Sequence, residues 1–478
     1  MAKIVVTGGG IVGLSAAMLL ARDGHQVTVL ERDPTEPPSP EDAWEQWSRT
    51  GVNQFRLLHF FLPRWRAVME RELPEVVPAM DAAGALRLNP IATAPEQLTG
   101  GARPGDEEFE SVTARRPVAE AAIASLAREA VGVEVRRGDA VGGLLTGPSA
   151  LPGVPNVVGV RTERGEDITA DLVADMTGRR SPLPRWLEAI GARRPDEEVE
   201  DSGFVYYGRH FRSADGSVPF AFGPLLQHYG SISILTLPAD NGTWGVGIVT
   251  SAKDAAVRRL KDTDVWMRVV RAYPLIAHWL DGEPLDDEVA VMAKIEDRCR
   301  RLVVDGAPVA TGVVAVADAW ACTNPSLGRG MSIGALHAVA LRDALRTDAA
   351  GHPGRFALAF SDVTDAQLMP WYRSTLHFDR HRLAEIDAIV DGRAYEPGDP
   401  AWEAIKSLDC AVAADPDLLR ASVALATLTK SGEEVFGDPA VVERAMQLGG
   451  HWREVASPGP DRAQLLGLIG ASEGGHAG

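Results

Sequence analysis

A chain of 478 residues, 45% hydrophobic and 24% charged, has room for two or three structural units, and its composition is that of an ordinary globular protein. Its formal net charge of -18, with no offsetting block of lysine and arginine, argues against nucleic acid as a partner. Cys299, Cys322 and Cys410 are far apart and form no CxxC pair, which argues against a disulfide framework or a cysteine-based metal site and fits a reducing cytoplasm; no metal is expected.

The chain opens with a β-turn-α pattern. Ile4, Val5 and Val6 read as a buried strand, and Leu14, Ala17, Met18 and Ala21 recur at helical spacing. Between them Gly8, Gly10 and Gly13 fit GxGxxG: the first for a tight turn, the second for close approach of a pyrophosphate, the third for helix-on-strand packing. The helix N-terminus offers amide donors and positive dipole to phosphate. A second strand, Gln26 to Leu30, ends at Glu31, placed to accept ribose hydroxyls. The longest apolar run, Gly10 to Ala21, is too short to span a bilayer, and no secretory signal is read at the start.

Next come Trp44 and Trp47, spaced as one face of a short helix. Further on, a strand at Leu172 to Ala174 runs into Asp175 and Gly178. The segment from Phe204 to Phe211 reads as a strand with Phe204, Tyr206 and His210 on one face and Val205, Tyr207, Arg209 and Phe211 on the other. Ser231 to Leu237 and Thr243 to Val249 read as a hairpin about the Asn241-Gly242 turn. A strand at Val313 to Ala317 delivers Asp318 to a loop holding Pro325, Gly328 and Gly330, and a helix begins near Met331, a second glycine-lined approach to a helix N-terminus. Beyond residue 350 helices dominate, two of them opened by capping aspartates in DPDLLRASV and DPAVVERAM. HFDRHR, His377 to Arg382, clusters cations that suit an acidic substrate group, although a solvated helix face is the favoured reading.

In this order, the GxGxxG with Glu31 and Arg32, Asp175 with Gly178, and Asp318 with NPSLGRGM resemble the flavoprotein monooxygenase superfamily of para-hydroxybenzoate hydroxylase over the first 350 residues or so. GVNQFRLLH, RRPVAEAAI, VEVRRGDAVGGL and VEDSGFVYYGRHF are most similar to bacterial epoxidase-like members, including those acting on polyene precursors of polyethers, with squalene epoxidase a more distant relative. The resemblance implies an α/β (α+β overall) architecture: a Rossmann-like FAD-binding domain (1–75, 106–190 and 290–350), an inserted β-sheet substrate domain (76–105 and 191–289), a C-terminal helical region (351–470) and a disordered tail (471–478). It implies FAD, with Glu31 on the adenosine ribose, Arg32 near adenine, and Arg56, Arg116, Val141, Asp175 and Gly178 about the cofactor. Asp318 is implied on the ribityl and pyrophosphate region, with Pro325, Gly328, Gly330 and Met331 beside the isoalloxazine. Ala317 departs from the glycine usual before this aspartate, at little cost if its backbone angle is ordinary.

The implied chemistry is reduction of FAD by NAD(P)H or a separate flavin reductase, formation of a flavin hydroperoxide with O2, and transfer of one oxygen atom to a small apolar, polyketide or aromatic substrate in secondary metabolism. The cofactor carries the hard step, so no catalytic residue is singled out. Tyr206, Tyr207 and Arg209 are candidate substrate contacts, with core packing an equal alternative for the aromatics. WEQWSR lacks the WxWxIP stretch of flavin-dependent halogenases, which disfavours halogenation. The remaining rivals are an FAD-dependent reductase of an isoprenoid-like double bond and a redox-silent flavin-binding homologue.

Overall fold

The computed structural model describes residues 1–52 and 54–470; the expected tail at 471–478 lies outside the described residues. The opening pattern folds as read, with β1 (Lys3–Thr7), α1 (Ile11–Arg22) and β2 (Gln26–Glu31). Later segments add α2 (Arg116–Glu129), β3 (Val133–Arg137), β4 (Leu172–Asp175), β5 (Val313–Ala315) and α3 (Gly330–Leu345). The five strands form one parallel sheet in the order β5-β4-β1-β2-β3. Because alternate residues face opposite ways, Ile4 and Val6 meet α1, α2 and α3 on one face. Val5 and Leu30 meet Leu144, Val157 and Val160 of a three-stranded antiparallel sheet on the other.

The inserted antiparallel sheet runs Leu226–Tyr229, Ile232–Pro238, Thr243–Ser251, Phe204–Arg212, with Glu283–Pro284 and Ala290–Met292 along the last strand. The Asn241-Gly242 turn forms as read, with φ of 51° and 65°, the two positive angles a type I′ turn requires. Its tip docks on the turn just past the helix Val76–Ala82, Asn241 N–H donating to Gly84 O at 3.0 Å. That helix, expected with the inserted unit, packs Val76, Val77 and Met80 into the parallel-sheet core instead.

The C-terminal helices are spread over the molecule. Phe356 and Phe360 join the first core, α4 (Met369–Val390) runs past the inserted sheet, and Leu465 and Ile469 seal that sheet's far face. Asp415 and Asp438 do cap helices, accepting from Asp417 N–H at 2.7 Å and Ala440 N–H at 2.9 Å. Trp44 and Trp47 are buried, the first in the four-residue helix Ala43–Gln46 and the second at its end. No helix among the described residues is long and apolar enough to cross a membrane.

Candidate functional site

Each glycine of the opening turn has a visible task. Gly8 takes a φ of 105° and sits so close to β4 that a methyl group there would lie 2.4 Å from the Met176 carbonyl oxygen. A methyl on Gly13 would lie 2.0 Å from Gly8 O, so α1 packs hard onto the turn. Gly10, by contrast, faces open space, with nothing within 4 Å. Gly330, the first residue of α3, is equally bare, and α1 and α3 pack side by side, a methyl on Gly334 falling 2.7 Å from Val12. Two helix N-termini therefore open together on unobstructed amide donors, the electrostatics of an anion cradle.

Asp318 stands at this opening. Its side chain is exposed, yet protein crowds it closely enough that burial pushes its carboxyl up, against the opposing charges of Arg179 and Arg116. A solvent-reachable carboxylate with low-dielectric walls describes a cleft. Burial and Arg49 push Arg116 down to about 10, and Asp318 acts the other way. The residue before Asp318 is not in ordinary backbone: Ala317 has a φ of 54°, the left-handed region, so the condition on which alanine would cost little there is not met. Its amide is held by the buried His337, whose Nδ1 accepts from Ala317 N–H at 3.0 Å.

Glu31 is less available than its position suggests. Oε2 accepts from Gly9 N–H at 2.8 Å and from Arg49, and Oε1 from Asp33 N–H at 2.8 Å, leaving one lone pair on Oε1 for a ribose hydroxyl. Burial raises its carboxyl, but Arg49 and the two amides outweigh this and hold it below its usual value. Arg49, which lay in an unremarkable stretch, is 7% exposed and also pairs with the fully buried Glu120, whose other oxygen meets Arg116 at 3.3 Å. This chain of charges ties the β2 end to α2.

The remaining candidates fall in several places. Arg32 is exposed against Gly51. Arg56 contacts Trp44 and, at 3.1 Å, the Trp47 carbonyl. Val141 is partly buried at a bulge beneath the parallel sheet. Asp175 is fully buried with its oxygens taken by Thr7, Thr177 and Ser181, so it fastens the turn that leads to the open Gly178. Pro325, Gly328 and Met331 line the half-open loop before α3.

Of the three substrate candidates, only Tyr206 faces this loop. Tyr207 and Arg209 point to the sheet's far side: Tyr207 joins the core around Trp266, and Arg209 reaches the Asp286 carbonyl at 2.6 Å. Tyr206 donates its hydroxyl to Asn324 Oδ1. The Asn324 backbone N–H in turn donates to Asp297 Oδ1 at 2.6 Å, and its Nδ2 donates to Asp379 Oδ1 at 3.1 Å. Ser326 also donates to Asp379 Oδ1, while Oδ2 is buried with no hydrogen-bond partner among the described residues. Burial, then the charge of Asp297, pushes the Asp379 carboxyl up to about 7. A carboxyl that keeps its proton near neutral pH is both donor and acceptor.

Asp379 belongs to the HFDRHR stretch, which is therefore no solvated helix face. Asp379 and Arg382 are 3% and 5% exposed, and each basic side chain of the stretch has a partner: Arg380 has Glu200, Arg382 has Glu385 and backbone carbonyls, and His377 and His381 share Asp399. Charged residue types alone do not reveal which face of a helix is buried.

On the same side of the sheet Gly208, Gly245 and Gly247 leave a bare strip onto which Leu58 presses; methyls there would lie 2.5, 2.7 and 3.1 Å from it. Two residues on, Phe60 O lies beside Gly328. His59 between them has a buried Nε2 without a partner among the described residues, and burial, then Arg116, pushes the ring down to about 3, so it is neutral. His59 carries no sequence signal beyond its place in GVNQFRLLH.

Residues 3–37 match the family profile described as FAD dependent oxidoreductase. Over 386 residues the chain is 29% identical to Protein Rv3254 of Mycobacterium tuberculosis, covering 77% of each. Its fold is similar to that of PqsL of Pseudomonas aeruginosa, solved with 2-aminobenzoylacetate, at a TM-score of 0.57 and 16% identity over 81% of this chain and 99% of PqsL. OxyS anhydrotetracycline hydroxylase from Streptomyces rimosus gives a TM-score of 0.54 and 18% identity over 89% of this chain and 76% of OxyS. At such identities the structural likeness is one of fold.

Proposed function

We propose that the chain is an FAD-dependent monooxygenase that inserts one oxygen atom of O2 into a small, largely apolar substrate, by epoxidation or hydroxylation, with NAD(P)H or a separate flavin reductase as electron source. The observation that carries this is the pair of bare helix N-termini at Gly10 and Gly330 with Asp318 beside them, a cradle that fits a diphosphate with a polyol chain attached. That a hydroxylase is built on the same fold supports the oxygen-inserting reading.

FAD, when bound, supplies the electron transfer and oxygen activation. In this reading the amides at Gly10 and Gly330 hold the diphosphate, Asp318 accepts from the polyol, and Arg116 and Arg179 balance the phosphate charge. The loop from Pro325 to Met331 and the Tyr206-Asn324-Asp379 chain border the reacting end. Leu58, Phe60 and the glycine strip wall it with apolar surface and keep water out. The protonated Asp379 hands a hydrogen bond or a proton to an oxygen that gains negative charge.

Asp379 also supports a second reading, an alkene reductase, in which hydride goes to one carbon of a double bond and a carboxylic proton to the other. The deciding experiment is an anaerobic absorption spectrum of the protein supplied with FAD, before and after NADPH or NADH, followed by turnover with and without oxygen on candidate polyene and aromatic substrates. A reducible flavin with turnover only in oxygen is the expected outcome. Turnover without oxygen selects the reductase, and the absence of a bound flavin refutes both.

A further inference from the structure

The helix α4 carries chemistry on two sides. Asp379 faces the loop before α3, and two residues either way, His377 and His381 lie on the opposite face, since each residue turns about 100°. These histidines are four apart, so their rings are neighbours, with centroids 4.6 Å apart. Both direct Nε2 at one oxygen, Asp399 Oδ2, at 2.7 Å from His377 and 3.0 Å from His381. Asp399 lies at the end of the irregular segment 391–399, where its Oδ1 is fixed by the Ala401 amide at 2.8 Å as it caps the next helix.

We propose that His377, His381 and Asp399 form a binding site for a divalent transition-metal cation, zinc being the ion their chemistry suits. Two imidazoles and one carboxylate, with a position left for water, are a zinc donor set. The three ligand atoms lie within 4.8 Å of one another. Tetrahedral zinc, with bonds of about 2.0–2.2 Å, sets its ligand atoms about 3.3 Å apart, so the oxygen needs to retreat by only a few tenths of an ångström. The surroundings are those of a held ligand. His381 Nδ1 meets the Tyr395 hydroxyl at 2.6 Å, a partner that fixes the ring and leaves Nε2 for the ion, and the ring stacks on Trp402 at 4.8 Å and 10°. Side-chain exposures of 32% for His377, 13% for His381 and 31% for Asp399 leave an entry path.

The ion would clip the middle of α4 to the N-terminus of the helix that follows, across the irregular 391–399 segment. That clip lies directly behind Asp379, so the site bears on the register of the helix that presents the buried acid, and it stands or falls independently of the flavin reading.

The test uses tag-free full-length protein stripped with chelator and dialysed into metal-free buffer. Zinc chloride is titrated by calorimetry, zinc per chain is counted after gel filtration, and cobalt chloride is added separately to read a tetrahedral absorption band. Asp399→Asn keeps the cap, because the amide oxygen still accepts from Ala401 N–H, and removes the anionic ligand. His381→Gln removes the second imidazole, and circular dichroism verifies that both variants fold. The expected result is one zinc per wild-type chain, a tetrahedral cobalt band, and affinity at least about 100-fold weaker in both variants. No zinc on the wild type, or equal uptake by a folded Asp399→Asn protein, overturns the proposal and leaves a trio held by hydrogen bonds alone.

Discussion

Replacing His337 by glutamine should change how stability depends on acid. His337 is fully buried, accepts from Ala317 N–H with Nδ1, and with Nε2–H reaches Thr364 Oγ1 at 3.2 Å, whose own proton goes to Phe360 O at 2.7 Å. Every proton in that chain is assigned, and none is left for a second ring N–H. Burial accordingly pushes the ring down to about 3, against about 6.5 in the unfolded chain. Between those values the unfolded state binds a proton that the native state does not, so this histidine's contribution is lost as pH falls below about 6.5. From pH 7 to pH 5 the loss integrates to about 2 kcal/mol at about 1.4 kcal/mol per unit. Urea unfolding of wild type and His337→Gln at the two pH values measures it, all other titrating groups cancelling in the difference. The variant starts lower, because the Ala317 amide loses its acceptor at a cost of about 1–3 kcal/mol, but its stability should fall by about 2 kcal/mol less on acidification. Parallel pH profiles would refute the neutral, fully bonded ring.

Ala317→Gly relieves a left-handed alanine worth about 1–2 kcal/mol and gives back about 0.4–1 in unfolded-chain entropy, so the urea midpoint should rise slightly. Gly10→Ala meets no atom within 4 Å and should leave the melting temperature unchanged while weakening flavin retention. Gly13→Ala, at 2.0 Å from Gly8 O, should destabilise by about 1–3 kcal/mol or more. Asp379→Asn mimics the protonated acid. Because the wild-type carboxyl is raised to about 7, native protein holds a proton the unfolded chain has shed from about pH 4 upward, and its stability falls as pH rises through that window. The variant should therefore match wild type only below about pH 4, exceed it by about 1.5 kcal/mol at pH 5 and by about 4 kcal/mol at pH 8 in denaturant titrations. The same variant should lose the neutral-range limb of the pH–rate profile.

Features written in a few adjacent residues were legible in the sequence. The glycine spacing, the Asn241-Gly242 turn and the capping aspartates each encode a backbone angle or an amide partner locally, and each formed as read. What was hidden depends on partners far along the chain. Arg49 needs Glu31 and Glu120 to be more than a surface cation, and Asp379 needs Asn324, 55 residues away, to be more than one charge in a polar run. Tyr207 and Arg209 were separable from Tyr206 by strand alternation alone, but which face met the loop was fixed by where α4 and the helix Thr263–Arg271 came to rest. Ala317 looked harmless because a residue type does not announce its φ.

The glycine strip under Leu58 separates two properties that proteins usually couple. Where side chains interlock across a cavity, changing its size disturbs the wall that supports it. Here three adjoining positions of the wall contribute no side chains, and the space above them is filled by one leucine from a connecting segment. The surface above this strip can therefore be reshaped by altering or displacing residue 58 alone, with the strands and the aromatic core behind them left as they are.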